Sequence, residues 1–504
     1  MQIDELRGVV PPDEGLISAA EQALASHPEF GDTGLIWLRA EARLRFALRI
    51  LAERLPGVAA ALDATVDQAW RTQLVRDPVV RLATEAAMQR LARGELAPPD
   101  DLEQVLALSA GYLAAGEKRM PTQIEEGGGL VAGPAPGIWV LAFAEAPGPL
   151  SGRLTQACAS GFTTGQGRTG ELTPGTPAMA QQAGQAFTVL TTLLPMLGAE
   201  LLRHLSAVGM VTAEDTGTML LSAAGGIELP GTIVLRPDQL ASPWDAAGRL
   251  LHEVLHLKLF DICACVPLYA SLDARVDVPW REGKWEMRRV LAAFHVYAHM
   301  TLYQAAVAAR SPAMSGQFGR PPANPGVSTA RNHGYAEPQQ RLRYLGEQLL
   351  GPLAGDLTPA GQRFVAWQLA AIAPLTGWQP PSPAPSAPPA PSAPPALSPD
   401  RAAARRERPA AGSRRTPGLT LSPVPAARTL LIFNPATNVL HALNLAAWAA
   451  FEVCDGRELA AMRTAHADLV SAKLTAAQAT VQLDAALAQL RQAALIEPAT
   501  DERG

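Results

Sequence analysis

Residues 231–260 read GTIVLRPDQLASPWDAAGRLLHEVLHLKLF, and this stretch determines how the chain is interpreted. Its first five residues are rich in β-branched side chains and predict a short strand. Ser242, Pro243 and Asp245 are the residue types favoured at the N-cap, the first and the third positions of a helix. Leucine and valine then occur on most helical faces, so we predict a helix buried in the core.

Two histidines on this helix predict a metal site. His252 and His256 are four residues apart and therefore project from one helical face, where two imidazoles can reach one metal ion at about 2.1 Å. Glu253 lies beside them, and in zinc peptidases with this motif the glutamate is the general base for the attacking water. The alternative is a pair of core histidines satisfied by hydrogen bonds.

A further ligand is expected from the next long helix, predicted over 285–309. His295 and His299 are again four residues apart, and we prefer His295 as the third ligand, with His299 as a supporting group. The alternative is that both only pack. No HExxHxxGxxH extension follows, which excludes the metzincin pattern, whereas Glu286 is available as a carboxylate ligand.

Three nitrogen ligands leave about three positions on octahedral Fe(II) or one on tetrahedral Zn(II), and spacing does not choose between the two metals. Arg281 and Arg288 precede the presumed ligand and are candidates to bind a carboxylate, with Arg281 preferred. The alternative is that each arginine is an ordinary exposed surface residue. Cys263 and Cys265 follow the motif closely, but we interpret them as small apolar residues rather than thiolate ligands.

Bulk properties exclude several classes of function. The net charge of −5 gives no electrostatic basis for binding nucleic acid. The first residues form no signal peptide, and the most apolar stretch, Ala186 to Leu202, is interrupted by Pro195 and Glu200 and is too short for a membrane span. The four cysteines form no disulfide framework, so a cytoplasmic protein is expected.

Composition predicts three segments. Residues 1–373 form the metal-binding region, which is predicted to be mainly α-helical with a small β component. Residues 374–418 are rich in proline, alanine and serine, become basic around 401–415, and predict a semi-extended linker. Residues 419–500 predict an α+β domain: three strands at 419–421, 429–433 and 439–443, a helix capped by Asn444, and a final amphipathic helix at 476–493.

The metal-binding region resembles a known enzyme family. The stretch from Pro230 through His252-Glu253-Val254-Leu255-His256-Leu257-Lys258-Leu259, then Pro279-Trp280-Arg281 and the helix around 294–299, is similar to the HExxH-type peptide β-hydroxylases. The similarity is good over 200–310 and looser over the rest of the first 370 residues. The resemblance implies Fe(II), 2-oxoglutarate and dioxygen as cofactors and co-substrate, and hydroxylation of side-chain Cβ atoms in a ribosomally made precursor peptide.

The C-terminal segment resembles a second family. Leu443-Asn444, Trp448, Cys454-Asp455-Gly456-Arg457 and Leu495-Ile496-Glu497 match PqqD-like leader-peptide recognition domains, which have a winged-helix-like fold. The resemblance implies that a leader peptide adds as a β-strand along the edge formed by Val439, Leu440, His441, Ala442 and Leu443. A winged-helix domain of another purpose is the alternative, although the segment is not basic enough to favour DNA.

Together the two resemblances predict a peptide β-hydroxylase fused to a leader-binding domain, with no nucleic-acid or membrane partner. Two alternatives remain. One is a zinc metallopeptidase with Glu253 as general base, and the other is a non-catalytic peptide-binding protein stabilised by metal. A gain of one oxygen, a chain break or no change in the mass of the peptide distinguishes these three.

Overall fold

The structure of the protein is a computed structural model that forms two compact units, residues 1–381 and 382–504. The described residues are 13–54, 57–58, 60, 76–92, 100–115, 131–132, 138–143, 148–160, 171–212, 223–225, 229–269, 274–280, 283–322, 335, 337–378, 412–424, 429–434, 439–471 and 474–499.

The first unit is mainly helical. Its helices are α1 (Glu14–Ala25), α2 (Thr33–Arg54), α3 (Pro78–Ala92), α4 (Asp100–Ala114), α5 (Pro149–Ser160), α6 (Pro177–Leu193), α7 (Pro195–Leu202), α8 (Pro243–Cys265), α9 (Met287–Phe318), α10 (Pro338–Leu350) and α11 (Pro359–Thr376). Its strands are β1 (Val131–Ala132), β2 (Trp139–Val140), β3 (Glu171–Thr173), β4 (Ala207–Thr212), β5 (Ala223–Gly225), β6 (Leu229–Leu235), β7 (Arg275–Asp277) and β8 (Lys284–Glu286). The predicted fold class of this region, mainly helical with a small sheet component, is confirmed.

The buried helix α8 begins and runs as its sequence predicts. The Ser242 hydroxyl accepts a hydrogen bond from the Asp245 backbone N–H at 3.3 Å, and Pro243 occupies the first turn. Strand β6 precedes the helix and contains the predicted 231–235 strand. Because leucine, valine and alanine cover most faces of α8, it packs against α2, α6 and α9 at once.

A mixed sheet lies before α8 in the chain. Its strands are ordered β1-β2-β4-β6-β5, with β3 also paired to β4, and β2, β4 and β6 run parallel. Alternate residues of the central strands enter different apolar clusters: Val208 and Ile233 join the cluster around α8 and α9, whereas Ala207 and Val234 join the cluster around α2 to α5. The sheet therefore separates two apolar layers.

The long helix α9 packs against α8 and extends past the predicted end at residue 309. The Tyr303 hydroxyl donates to the Trp244 carbonyl oxygen at 2.7 Å, which joins the two helices by a buried hydrogen bond. Pro312 lies inside α9 without ending it. A proline inside a helix removes one backbone hydrogen bond and crowds the carbonyl oxygen one turn earlier, yet α9 continues to Phe318.

The second unit contains strands β9 (Ser413–Arg415), β10 (Thr420–Val424), β11 (Thr429–Asn434), β12 (Val439–Asn444) and β13 (Ile496–Pro498), and helices α12 (Leu445–Glu452), α13 (Leu459–Val470) and α14 (Ala476–Gln492). The order β10-β11-β12 is antiparallel throughout. The three predicted strands and both predicted helices are present. Asn444 caps the first of these helices, because its side-chain oxygen accepts a hydrogen bond from the Ala447 N–H at 2.9 Å. Helix α13 and the β9–β13 pair were not predicted.

Several predicted boundaries are wrong. The glycine, threonine and glutamine residues within 150–180 predict a loop, but the structure has helix α5 and strand β3 in this segment. The predicted linker starts too early, because α11 continues through Pro374 to Thr376, and ends too late, because Arg414 and Arg415 lie in β9. Residues 379–411 of that segment lie outside the described residues. None of the helices in the described ranges combines the length and the apolar character that crossing a bilayer requires.

Candidate metal centre

Helix α8 brings together three side chains that could hold a metal ion. The ligand atoms of His252, Glu253 and His256 all lie within 4.8 Å of one another, and in the described part of the chain no other set of three or more histidine, cysteine or acidic residues does so. The two imidazole rings are 5.0 Å apart, and His252 Nε2 lies 3.9 Å from Glu253 Oε1. Glu253 is buried, whereas both histidines are half-buried.

Burial keeps both histidines neutral. It lowers the pKa of His256 to about 4. Burial also lowers the pKa of His252 well below its ordinary value, and the charges of His256, Arg249 and Arg341 add to this effect. Near pH 7 both rings therefore keep a nitrogen lone pair for a metal. Two imidazoles and one carboxylate form the donor set of non-haem Fe(II) oxygenases and also suit Zn(II), so the residues fit either ion.

The structure buries His295 and His299 completely on α9. His295 Nδ1 lies 3.1 Å from Gln368 Oε1, and its ring packs on Phe364 at 5.3 Å. His299 Nδ1 donates to the His295 carbonyl oxygen at 2.9 Å. Neither ring belongs to the group on α8. The predicted third ligand, His295, is therefore not among the donor atoms that lie within 4.8 Å of one another, although the charge of His256 acts on it.

These two rings nevertheless have a defined protonation pattern. A carbonyl oxygen can only accept, so His299 carries its proton on Nδ1 and presents a lone pair at Nε2. The Nε2 atoms of His295 and His299 are buried and have no hydrogen-bond partner among the described residues. Burial and the nearby charge of Lys258 lower the pKa of His299 to about 3. The pair is neutral and belongs to the core between α9 and α11.

Among the described residues, no contact places a predicted arginine at the metal group. Arg281 lies outside the described residues, and Arg288 is exposed near Cys263 and Tyr269, whose thiol and hydroxyl its charge influences. Arg341 of α10 was not predicted, although its charge acts on His252. Arg341 is far from the HExxH motif in the sequence, so no local pattern connects the two. The helix α10 that carries Arg341 packs against α9, which packs against α8.

The remaining candidate ligands also lie outside the group. Glu286 is exposed at the start of α9, where it lies 4.0 Å from Arg275. Burial raises the pKa of Cys263 and of Cys265 to about 12, so both thiols are protonated and fit the apolar interpretation.

In the second unit, the predicted peptide-binding residues lie in strand β12. Val439 is 45% exposed, His441 and Ala442 are half-buried, Leu443 is buried, and Leu440 pairs with Phe433. Among the described strands, β12 pairs only with β11. Its second edge therefore has backbone N–H and C=O groups that another strand could pair with.

No known protein-family profile matches the chain, and no curated protein shows significant sequence similarity to it.

Proposed function

We propose that the protein is an Fe(II)- and 2-oxoglutarate-dependent β-hydroxylase of a ribosomally made precursor peptide. The observation that carries the proposal is the group of two neutral imidazoles and one carboxylate on α8, within 4.8 Å of one another. That donor set leaves several coordination positions on an octahedral ion, as a 2-oxo acid and dioxygen require. The family resemblance of the motif and its surroundings supports the same chemistry.

The roles of the protein side chains follow from their positions. His252 and His256 would hold Fe(II) through neutral imidazole nitrogens, with the buried Glu253 carboxylate as the third donor. With the ion bound, 2-oxoglutarate is oxidised to succinate and CO₂ and takes one oxygen atom of dioxygen, and a side-chain Cβ takes the other. The rigid, buried helix α8 fixes the spacing of the donors.

The second unit would bind the leader of the precursor as an additional strand beside β12. Backbone hydrogen bonds would supply affinity, and the side chains that alternate along the edge would supply selectivity. Because both units belong to one chain, binding of the leader raises the local concentration of the core peptide near the catalytic unit.

Anaerobic spectroscopy tests this proposal. The full chain is loaded with Fe(II) and titrated with 2-oxoglutarate, with His256→Ala as the matched variant. A visible charge-transfer band in the wild type alone is expected, because a 2-oxo acid that binds iron through two oxygens requires the intact donor set. A wild type that binds Fe(II) without forming the band contradicts the proposal.

A zinc metallopeptidase is the second candidate, favoured by one observation. The Glu253 carboxylate is buried 3.9 Å from His252 Nε2, close enough to activate a water on an ion that only the two histidines hold. This alternative predicts stoichiometric Zn(II), no 2-oxoglutarate band and cleaved peptide. Zn(II) without any change in peptide mass would favour a structural metal site.

A further inference from the structure

Arg249 is a half-buried arginine on α8, one turn before the metal group. Residues three, four and seven positions further along a helix lie on the same side of it, and these positions are His252, Glu253 and His256. At about 100° per residue, all three lie within about 60° of Arg249 around the helix axis. The cation and the three candidate metal donors therefore share one face of a single helix.

The guanidinium of Arg249 is not bound by a neighbouring acid. Over the described ranges of the chain, Arg249 forms no hydrogen bond and no ion pair. Asp238, whose charge acts on it, is instead held by Arg236 through hydrogen bonds of 2.9 and 2.7 Å. Burial lowers the pKa of Arg249, and the charges of Glu253, Asp245 and Asp238 oppose this effect. Because arginine does not lose its proton in proteins, α8 presents a half-buried cation with unused N–H donors.

The charges on this face of α8 favour a ligand with two negative charges. A divalent ion held by two neutral imidazoles and the Glu253 carboxylate keeps one positive charge, and Arg249 adds a second. In a half-buried site the effective dielectric is lower than in water, so a ligand that neutralises both charges is favoured. Its two anionic ends must lie apart, because the midpoint between His252 and His256 is about 7.5 Å along the helix axis from Arg249.

We propose that Arg249 binds the C5 carboxylate of 2-oxoglutarate, whose 2-oxo acid end lies at the His252–Glu253–His256 group. The inference rests on the proposed function and names the residue that holds the co-substrate of that reaction. Two methylene groups separate the two ends of this acid, which extends over about one helical turn, and the flexible stem of Arg249 covers the remaining distance. The planar fork of arginine matches a carboxylate through two parallel hydrogen bonds.

Calorimetry on the Zn(II)-loaded full chain tests this assignment without turnover. It compares 2-oxoglutarate with 2-oxopentanoate, which has a methyl group in place of the C5 carboxylate. The wild type is expected to bind 2-oxoglutarate about 10- to 100-fold more tightly, because only this acid offers a carboxylate to Arg249. Arg249→Met keeps the apolar stem, and it should lose this preference while binding 2-oxopentanoate as the wild type does.

Two further variants make the result decisive. Arg343→Met removes an exposed arginine of α10 that pairs with Glu347, and it should keep the preference of the wild type. Arg249→Gln removes the charge but keeps a polar side chain at the half-buried position. It should lose the preference as Arg249→Met does, so one misfolded variant does not decide the test. A preference that survives in a folded Arg249 variant, equal weakening of both acids, or no preference in the wild type overturns the assignment.

The outcome is separable from that of the proposed function. Binding to the zinc form needs neither iron nor hydroxylation, so a preference that depends on Arg249 supports the assignment even if the Fe(II) band is absent. Conversely, a wild type that forms the band with Fe(II), together with an Arg249→Met variant that keeps the preference on Zn(II), supports the oxygenase and overturns the role of Arg249.

Discussion

Lys258, two residues after the metal motif, is a fully buried lysine on α8. Its Nζ donates to the Gly31 carbonyl oxygen at 2.7 Å, and burial lowers its pKa from 10.5 to about 7 despite the opposing charges of Glu200 and Asp32. Replacement of Lys258 by methionine keeps the apolar stem and removes the titrating group. We predict that this change removes a distinct pH dependence of the free energy of unfolding.

The sign follows from proton binding. Between pH 7 and pH 10.5 the unfolded chain holds a proton on Lys258 that the folded chain releases, so stability rises with pH in this window. At about 1.4 kcal/mol per pH unit, burial of Lys258 destabilises the fold by about 4 kcal/mol at pH 7 and about 2 kcal/mol at pH 9. Between pH 7 and pH 9, the free energy of unfolding should therefore rise by about 2 kcal/mol more in the wild type than in Lys258→Met.

Urea unfolding of the metal-free full chain at both pH values measures this difference. Tryptophan fluorescence reports mainly on the first unit, since eight of the nine tryptophans lie within residues 1–381. The unpaired Gly31 carbonyl in the variant costs about 1–3 kcal/mol at either pH, so it cancels in the comparison. Parallel pH dependences of the wild type and Lys258→Met would refute the reasoning.

Three other outcomes are expected. Asp261→Asn should destabilise the first unit by about 3–5 kcal/mol in urea unfolding, because it leaves Arg81 without the buried carboxylate that it contacts at 2.5 Å. Asp238, whose side chain is 62% exposed, forms an ion pair with Arg236, and Asp238→Asn should change the free energy of unfolding by less than about 1 kcal/mol. A similar loss in Asp261→Asn and Asp238→Asn would contradict this distinction between a buried and an exposed pair. Asn444→Ala should lose about 1 kcal/mol of capping and speed hydrogen exchange in α12 about fivefold, whereas unchanged exchange would show that the cap does not limit opening.

The predictable parts of this fold are those with strong local signals. Ser242, Pro243 and Asp245 define the start of α8 because capping is a property of adjacent residues, and the same holds for Asn444 at α12. The pair His252 and His256 follows from helical spacing alone. The helix at 149–160 was missed because glycine, threonine and glutamine surround it, and tertiary burial of Leu150 and Leu154 stabilises it instead.

The position of His295 and His299 relative to the metal group could not be read from spacing. His295 and His299 share a helical face, but which side of α9 faces α8 depends on the packing of all the neighbouring helices. The contact of His295 with Gln368 and that of Arg341 with Tyr297 join segments distant in sequence. A single sequence carries no signal for such contacts, whereas Glu253 was identified because it lies next to His252.

Equilibrium Zn(II) affinity, measured by chelator competition on the full chain, tests most directly the claim that the metal is held by the group on α8. The wild type should bind one ion per chain, and His252→Ala or His256→Ala should each lose on the order of 100-fold or more, since even outer contacts of a metal site are worth 10- to 100-fold. His295→Leu and His299→Leu should each stay within about threefold of the wild type, because neither ring belongs to the group. A loss in His295→Leu as large as that in His256→Ala would place His295 on the metal and contradict the account.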